Sequence, residues 1–156
     1  MRLQLLAIVM AMSFAHVAPA AADTVKASDP ATLIKALQGA GYRAKLDKGD
    51  DGDPVIVTAS GGNNITIVFS GCTKNTNCTY VEMVAVWKCN ADMTDKCKSI
   101  VAKWNTEERF AQVTNTSAGI GLYYFLDLDA GGMSDALFID NVKTISDAAN
   151  ELEKRF

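Results

Sequence analysis

Four cysteines, Cys72, Cys78, Cys89 and Cys97, crowd the middle of a 156-residue chain and constrain its fold more than any other feature. An even set of this kind reads as a disulfide framework once the chain has left the reducing cytoplasm. Four cysteines allow three pairings, and the spacing alone leaves all three open. Local geometry favours Cys72 with Cys78 and Cys89 with Cys97. Cys72 ends one candidate strand and Cys78 begins the next across the polar loop 73–77. Cys89 follows that second strand, and Cys97 falls in the first turn of a candidate helix. Structural zinc prefers closer cysteine pairs, often joined by histidine. Dithiol redox chemistry prefers C-x-x-C, which the chain lacks. Each local bridge is expected to contribute about 2 kcal/mol through the lost entropy of the unfolded chain.

The amino-terminal end supports an oxidising destination. Arg2 precedes the apolar run Leu3 to Met12, and the small residues Ala18, Ala20, Ala21 and Ala22 follow. That order of parts is a secretory signal peptide, expected to be cleaved after Ala20 or Ala22. The apolar run is short against the roughly 20 residues a spanning helix needs. The expected organisation is a signal peptide over 1–22 and one domain over 23–156, placed in the periplasm or secreted. The chain carries a net charge of −3, and losing Arg2 makes the domain more acidic. Nucleic acid and anionic membrane surfaces are therefore not the expected partners. The sole histidine, His16, lies inside the leader. A processed chain without imidazole cannot run a Ser-His-Asp or Cys-His mechanism and lacks the commonest transition-metal ligand.

Ser28-Asp29-Pro30 offers a cap and then a proline where its missing N–H costs nothing, so a helix starts there, with Leu33, Ile34 and Leu37 as its stripe. Gly39 or Gly41 ends it. Short strands are expected over Tyr42 to Leu46 and Val55 to Val57, on either side of the acidic loop 47–54. The alternations Ile65-Ile67-Phe69 and Val81-Met83-Ala85-Trp87 mark two more strands, each with one buried face. A second helix is expected from Asp95 to Glu108, with Cys97, Ile100, Val101 and Trp104 inward. Phe110 to Val113 and Leu122 to Leu128 read as strands around a polar turn from Asn115 to Gly121. Ser134 caps the longest helix, whose stripe runs Phe138, Val142, Ile145, Ala149, Leu152 and Phe156. Helix, strands, helix, two strands, helix gives an α+β fold: an antiparallel sheet with helices packed mainly on one side.

Several residues invite chemistry, and each has a plainer reading. Asp47 to Asp53 gathers carboxylates of the kind calcium prefers, but Gly49 falls where an EF-hand ligand is required, so a solvated hairpin loop is expected. Asp127 and Asp129 flank Leu128 and share one side of a strand, an arrangement suited to acid–base work if a cleft and a nucleophile were present. Gly131-Gly132 before Ser134 resembles a phosphate-binding turn, yet no P-loop lysine accompanies it, so a sharp strand-to-helix turn is expected. Trp87, Trp104 and Phe110 are expected in the core rather than around a ligand. Arg109 is expected to pair with a carboxylate. Asn77-Cys78-Thr79 matches a glycosylation triplet, which carries little meaning if the source is bacterial, as the style of the leader suggests. No cofactor or metal site and no catalytic residue is expected.

These residues, taken together, resemble the exported members of the YbjN-domain family. The likeness runs through Ala27-Ser28-Asp29-Pro30, Leu37-Gln38-Gly39-Ala40-Gly41-Tyr42, Gly52-Asp53-Pro54, and Phe69-Ser70-Gly71-Cys72 with Cys78. It continues through Trp104-Asn105 with Arg109-Phe110 and Gly131-Gly132-Met133-Ser134. Cys89 with Cys97 is a departure from that pattern. The resemblance implies a fold like that of type III secretion chaperones, which often dimerise and hold another polypeptide. It also implies a regulatory role without catalytic residues. The expected function is therefore a non-enzymatic module that binds a protein or peptide, with a homodimer as one form. A carboxylate-based ligand binder or enzyme and a calcium-stabilised structural protein are the alternatives.

Overall fold

A computed structural model describes residues 23–90 and 93–156. The leader predicted over 1–22, with His16, lies outside the described residues. The elements run β1 (Thr24–Val25), α1 (Pro30–Gly39), β2 (Ala44–Lys48), β3 (Pro54–Ser60), β4 (Asn63–Ser70), β5 (Tyr80–Trp87) and α2 (Thr94–Glu107). They end with β6 (Gln112–Thr116), β7 (Gly119–Asp127), β8 (Met133–Ser134) and α3 (Asp135–Glu153). Strands β2 to β7 form one antiparallel sheet in the order β2-β3-β4-β5-β7-β6, and β1 pairs with β8 in a separate two-stranded ladder. The fold is α+β.

Alternation decides which face of the sheet is covered. Ile56, Ile65, Ile67, Phe69, Val81, Met83, Leu122 and Val113 all point to one side and are buried. The apolar stripes of the helices meet them there: Leu33 and Leu37 from α1, Ile100 and Trp104 from α2, and Phe138, Val142, Ile145, Ala149 and Leu152 from α3. Burying a side chain as large as Phe138 or Ile145 contributes about 1.5–3 kcal/mol. The α3 stripe alone is therefore a major part of the core. Phe156, expected to extend that stripe, falls past the helix end and instead stacks on Trp87 at a centroid distance of 6.4 Å.

Local chemistry sets the element ends. Asp29 caps α1 by accepting the Ala31 N–H at 3.1 Å, and Ser134 caps α3 by accepting the Leu137 N–H at 3.3 Å. Gly61 and Gly62 both take positive φ, 59° and 89°, which is the backbone a two-residue hairpin between β3 and β4 needs. A Cβ at Gly61 would also lie 2.6 Å from Ser146 Oγ, so this hairpin is pressed against α3. Cys72 is bonded to Cys78 and Cys89 to Cys97. The first bridge closes the β4–β5 loop and the second ties the end of β5 to the first turn of α2.

One expectation is corrected here. Residues 115–121, read as a polar turn, are mostly strand: β6 runs to Thr116 and β7 starts at Gly119. Their polar side chains are compatible with a hairpin at the sheet edge, where packing asks little of them. The β1–β8 ladder had no sequence signal, because two-residue strands are too short to show a period. It explains Gly131-Gly132, however. A Cβ on Gly132, whose φ is 83°, would meet the Val25 carbonyl oxygen at 2.0 Å. The glycines permit a backbone approach.

Candidate functional site: the open face of the sheet

With three helices on one face, the other face of the six-stranded sheet has no covering layer among the described residues. Two rows of side chains cross it in register. One runs Val57, Thr66, Val84, Tyr123, and the other Val55, Val68, Glu82, Phe125. Val57, Val86 and Phe125 stand 44%, 51% and 54% exposed, and Tyr80 packs on Phe125 at 4.9 Å between ring centroids. The Tyr123 ring folds over Gly121, where a Cβ would come within 2.6 Å of its Cε2. A half-exposed surface of β-branched and aromatic side chains is the kind that sheets bury against a partner.

The edges of the sheet are guarded against strand addition. On β6, the Asn105 side chain occupies the outward backbone groups of Val113: its Nδ2 donates to the carbonyl at 2.7 Å and its Oδ1 accepts the N–H at 2.9 Å. Edge β2 is short and carries Lys45, Asp47 and Lys48. Charged, short or plugged edges are how sheets avoid pairing with other chains. Docking is therefore directed to the face.

At the β6–β7 end of that face lies a cleft of about 410 Å³, lined in part by Glu82, Arg109, Phe110, Tyr123 and Phe125. Its rim is built by α2. Trp104 is buried and its Nε1 donates to the Ala111 carbonyl at 2.8 Å, while Asn105 holds Val113. These bonds turn Ala111 inward and project Arg109 and Phe110 outward. Phe110 is 75% exposed, which corrects its expected place in the core. The physical reason is the Trp104 hydrogen bond, a tertiary contact that fixes the phase of the loop. Below, Arg155 pairs with Glu107 at 2.8 Å and with Glu108 at 2.9 Å, and its guanidinium sits 4.8 Å over the Trp104 ring. A cation placed there offsets two carboxylates at the C-terminal end of α2, where the helix dipole disfavours them.

Arg109, expected to pair with a carboxylate, pairs with none among the described residues. Glu82 in the same cleft also has no ion pair or side-chain hydrogen bond. Trp104 is in the core as expected, and Trp87 is half-buried beside Phe156. Asp127 and Asp129 are exposed, and Asp127 Oδ1 accepts the Asp129 N–H at 3.0 Å, a turn brace rather than an acid–base pair facing a cleft. The acidic loop is likewise internally bonded. Asp51 accepts the Asp53 N–H, and Asp53 accepts Asn75 Nδ2 at 2.8 Å, so the disulfide-closed β4–β5 loop holds the β2–β3 loop. Among the described residues no three metal-ligating side chains converge. Among the described residues two titrations are displaced, both at the periphery. The Lys48 backbone N–H and then the Lys45 charge hold Asp47 below the usual carboxylate range. Its hydrogen bond and ion pair with Asp23 hold Lys35 above the usual lysine range.

The motif that shapes the cleft, Trp104-Asn105 with Arg109-Phe110, sits inside a longer family match. Residues 29–156 match the model of YbjN, described as a putative bacterial sensory transduction regulator. This chain belongs to the YbjN family. No curated protein matches it. Within this YbjN domain, Trp104 and Asn105 do positioning work, and Arg109 and Phe110 are the side chains they present. The sequence marked all four without showing which pair was structural. An open face follows from the expected packing of helices mainly on one side, but its use as a site was missed, although the alternation Tyr80, Glu82, Val84, Val86 carried the signal: an outward set too apolar for plain solvent.

Proposed function

We propose that this YbjN domain is a non-enzymatic regulatory module that binds a protein or peptide on the open face of its sheet. The observation that carries the reading is the set of half-exposed side chains Val57, Val86 and Phe125, spread over three neighbouring rows of a face that no described element covers, between guarded edges. The regulatory part follows the family description. Polypeptide binding is the role that fits a broad, shallow, apolar surface rather than an enclosed small-molecule pocket. The chaperone-like resemblance points the same way, though a shared fold would not by itself confer an activity. Two disulfides are consistent with an oxidising environment, and with the leader-like sequence they support work in the periplasm or outside the cell.

Site-specific photo-crosslinking in the producing bacterium tests the reading. A photoreactive residue replacing Val86 is expected to give a discrete crosslinked species, whereas one replacing Lys98, on the exposed side of α2, is expected to give none. Equal labelling from both positions, or none from Val86 in a folded, exported protein, overturns it.

A further inference from the structure

Strands β5 and β7 place four side chains at the corners of a square on the open face. Tyr80 stands opposite Asp127 and Glu82 opposite Phe125, and the two-residue period turns all four to the same side. The aromatic rings take one diagonal and meet at 4.9 Å between centroids. The carboxylates take the other. Phe125 is 54% exposed, so much of its ring is open between two acids. Asp127 uses one oxygen to accept the Asp129 N–H and keeps the other. Glu82 is half-buried. No cation among the described residues forms an ion pair with either acid, and Arg109, on the rim of the adjoining cleft, reaches neither. A partly desolvated carboxylate is costly unless a cation compensates it, and here that cation has to come from outside the fold.

We propose that the open face recognises its polypeptide through an arginine, whose guanidinium stacks on Phe125 and donates to Glu82 on one side and Asp127 on the other. This rests on the open face being the docking surface and adds the chemistry of the occupant. The spacing suits one guanidinium. Residues directly opposite on paired strands hold their Cβ atoms about 4.5–5.5 Å apart, and alternate residues of one strand lie about 6.6 Å apart. Both acids therefore flank whatever lies on Phe125. Arginine suits the square better than lysine, because a planar, weakly hydrated guanidinium lies against a ring while its N–H groups fork toward carboxylates. The chain's net charge of −3 draws a basic segment in. Arg109 sets a second condition. A cation on the cleft rim repels a run of basic residues continuing past Phe125, so a single arginine among apolar residues fits better than a polybasic tract. Val84, Val86 and Val57 are then the surface for the apolar neighbours.

The experiment is fluorescence anisotropy on the full chain expressed for export, non-reduced, with labelled and capped leucine–serine peptides that differ only in a central arginine, norleucine or glutamate. The arginine peptide is expected to bind at least about tenfold more tightly than the norleucine peptide, and the glutamate peptide more weakly than either. Glu82→Gln and Asp127→Asn, the second keeping an oxygen for the Asp129 N–H, are each expected to weaken the arginine peptide at least about threefold. Combined, they are expected to erase its advantage over norleucine, a coupling that a merely structural effect would not produce. Circular dichroism on each variant establishes that it is folded. An arginine peptide that binds no better than norleucine, or not at all, overturns the recognition, and so does an equal loss for both peptides in the variants. An oligoarginine peptide that binds as tightly would assign the attraction to net charge and overturns it too. Any of these beside a discrete crosslink from Val86 would leave the docking face standing, whereas the absence of that crosslink removes the face itself.

Discussion

Thr58 is buried among the inward side chains of β3, and its Oγ1 is the one buried side-chain oxygen or nitrogen among the described residues without a hydrogen-bond partner. Leaving such a hydroxyl unpaired costs about 1–3 kcal/mol. Thr58→Val keeps the branched shape that a strand favours and removes the orphan, so it is expected to stabilise the domain by about 1 kcal/mol. A higher urea midpoint with an unchanged slope would bear this out; a lower midpoint would mean the oxygen has a partner in solution. The opposite sign is expected at Gly132. Its φ of 83° and the 2.0 Å approach of a Cβ to the Val25 carbonyl leave no room, so Gly132→Ala is expected to destabilise by at least about 2 kcal/mol. If denaturation shows Gly132→Ala as stable as wild type, the β1–β8 ladder does not close as described. Neither residue was readable beforehand. Thr58 sits in an apolar alternation that looks unremarkable in one dimension, and Gly132 owes its role to β1, far away in sequence.

Among the elements, β6 depends most on a single contact. It is an edge strand with one neighbour, β7, and on its other side Asn105 stands in for a strand. Asn105→Ala removes two hydrogen bonds and leaves the Val113 groups to water or to another chain. The expected loss is about 2 kcal/mol, with faster hydrogen exchange confined to β6 and concentration-dependent aggregation. Uniform exchange across the sheet would instead show that Asn105 is not the local plug. The disulfides brace elements in the same local way. The chain-entropy model gives about 2–3 kcal/mol for a loop of the size closed by Cys89–Cys97. Replacing both cysteines by serine is expected to lower the urea midpoint by that order, with α2 loosening first. Helix starts were legible because a cap and a stripe are local, as at Asp29 and Ser134. The two strands of the β6–β7 hairpin were legible but their meeting ends were not, because Asn115 to Gly121 becomes strand only when Asn105 and β5 are in place.

At the scale of the molecule, the sequence carries one layer of helices and one sheet in its periodicities, and the α+β architecture follows from them. Packing helices mainly on one side already leaves a face over; what the sequence does not announce is that this face is a docking surface, because the outward valines of β5 look like ordinary strand formers until all three helices have been spent on the other side. The same asymmetry separates stability from docking. Val86 and Phe125 each keep about half their surface in water, so the folded monomer gains little from them. Replacing both with lysine is expected to change the unfolding free energy of the monomer by less than about 0.5 kcal/mol, as exposed substitutions usually do. Trp104→Ala, by contrast, empties a buried site and is expected to cost about 3–5 kcal/mol. If the open face is where this YbjN domain works, the lysine pair removes the apolar contact and places two desolvated cations in its way. It should then eliminate crosslinking from a photoreactive residue placed at Val57 while leaving the thermal unfolding curve unmoved. A variant that unfolds normally and still crosslinks to its partner as wild type would move the interface off the sheet and onto the helical layer.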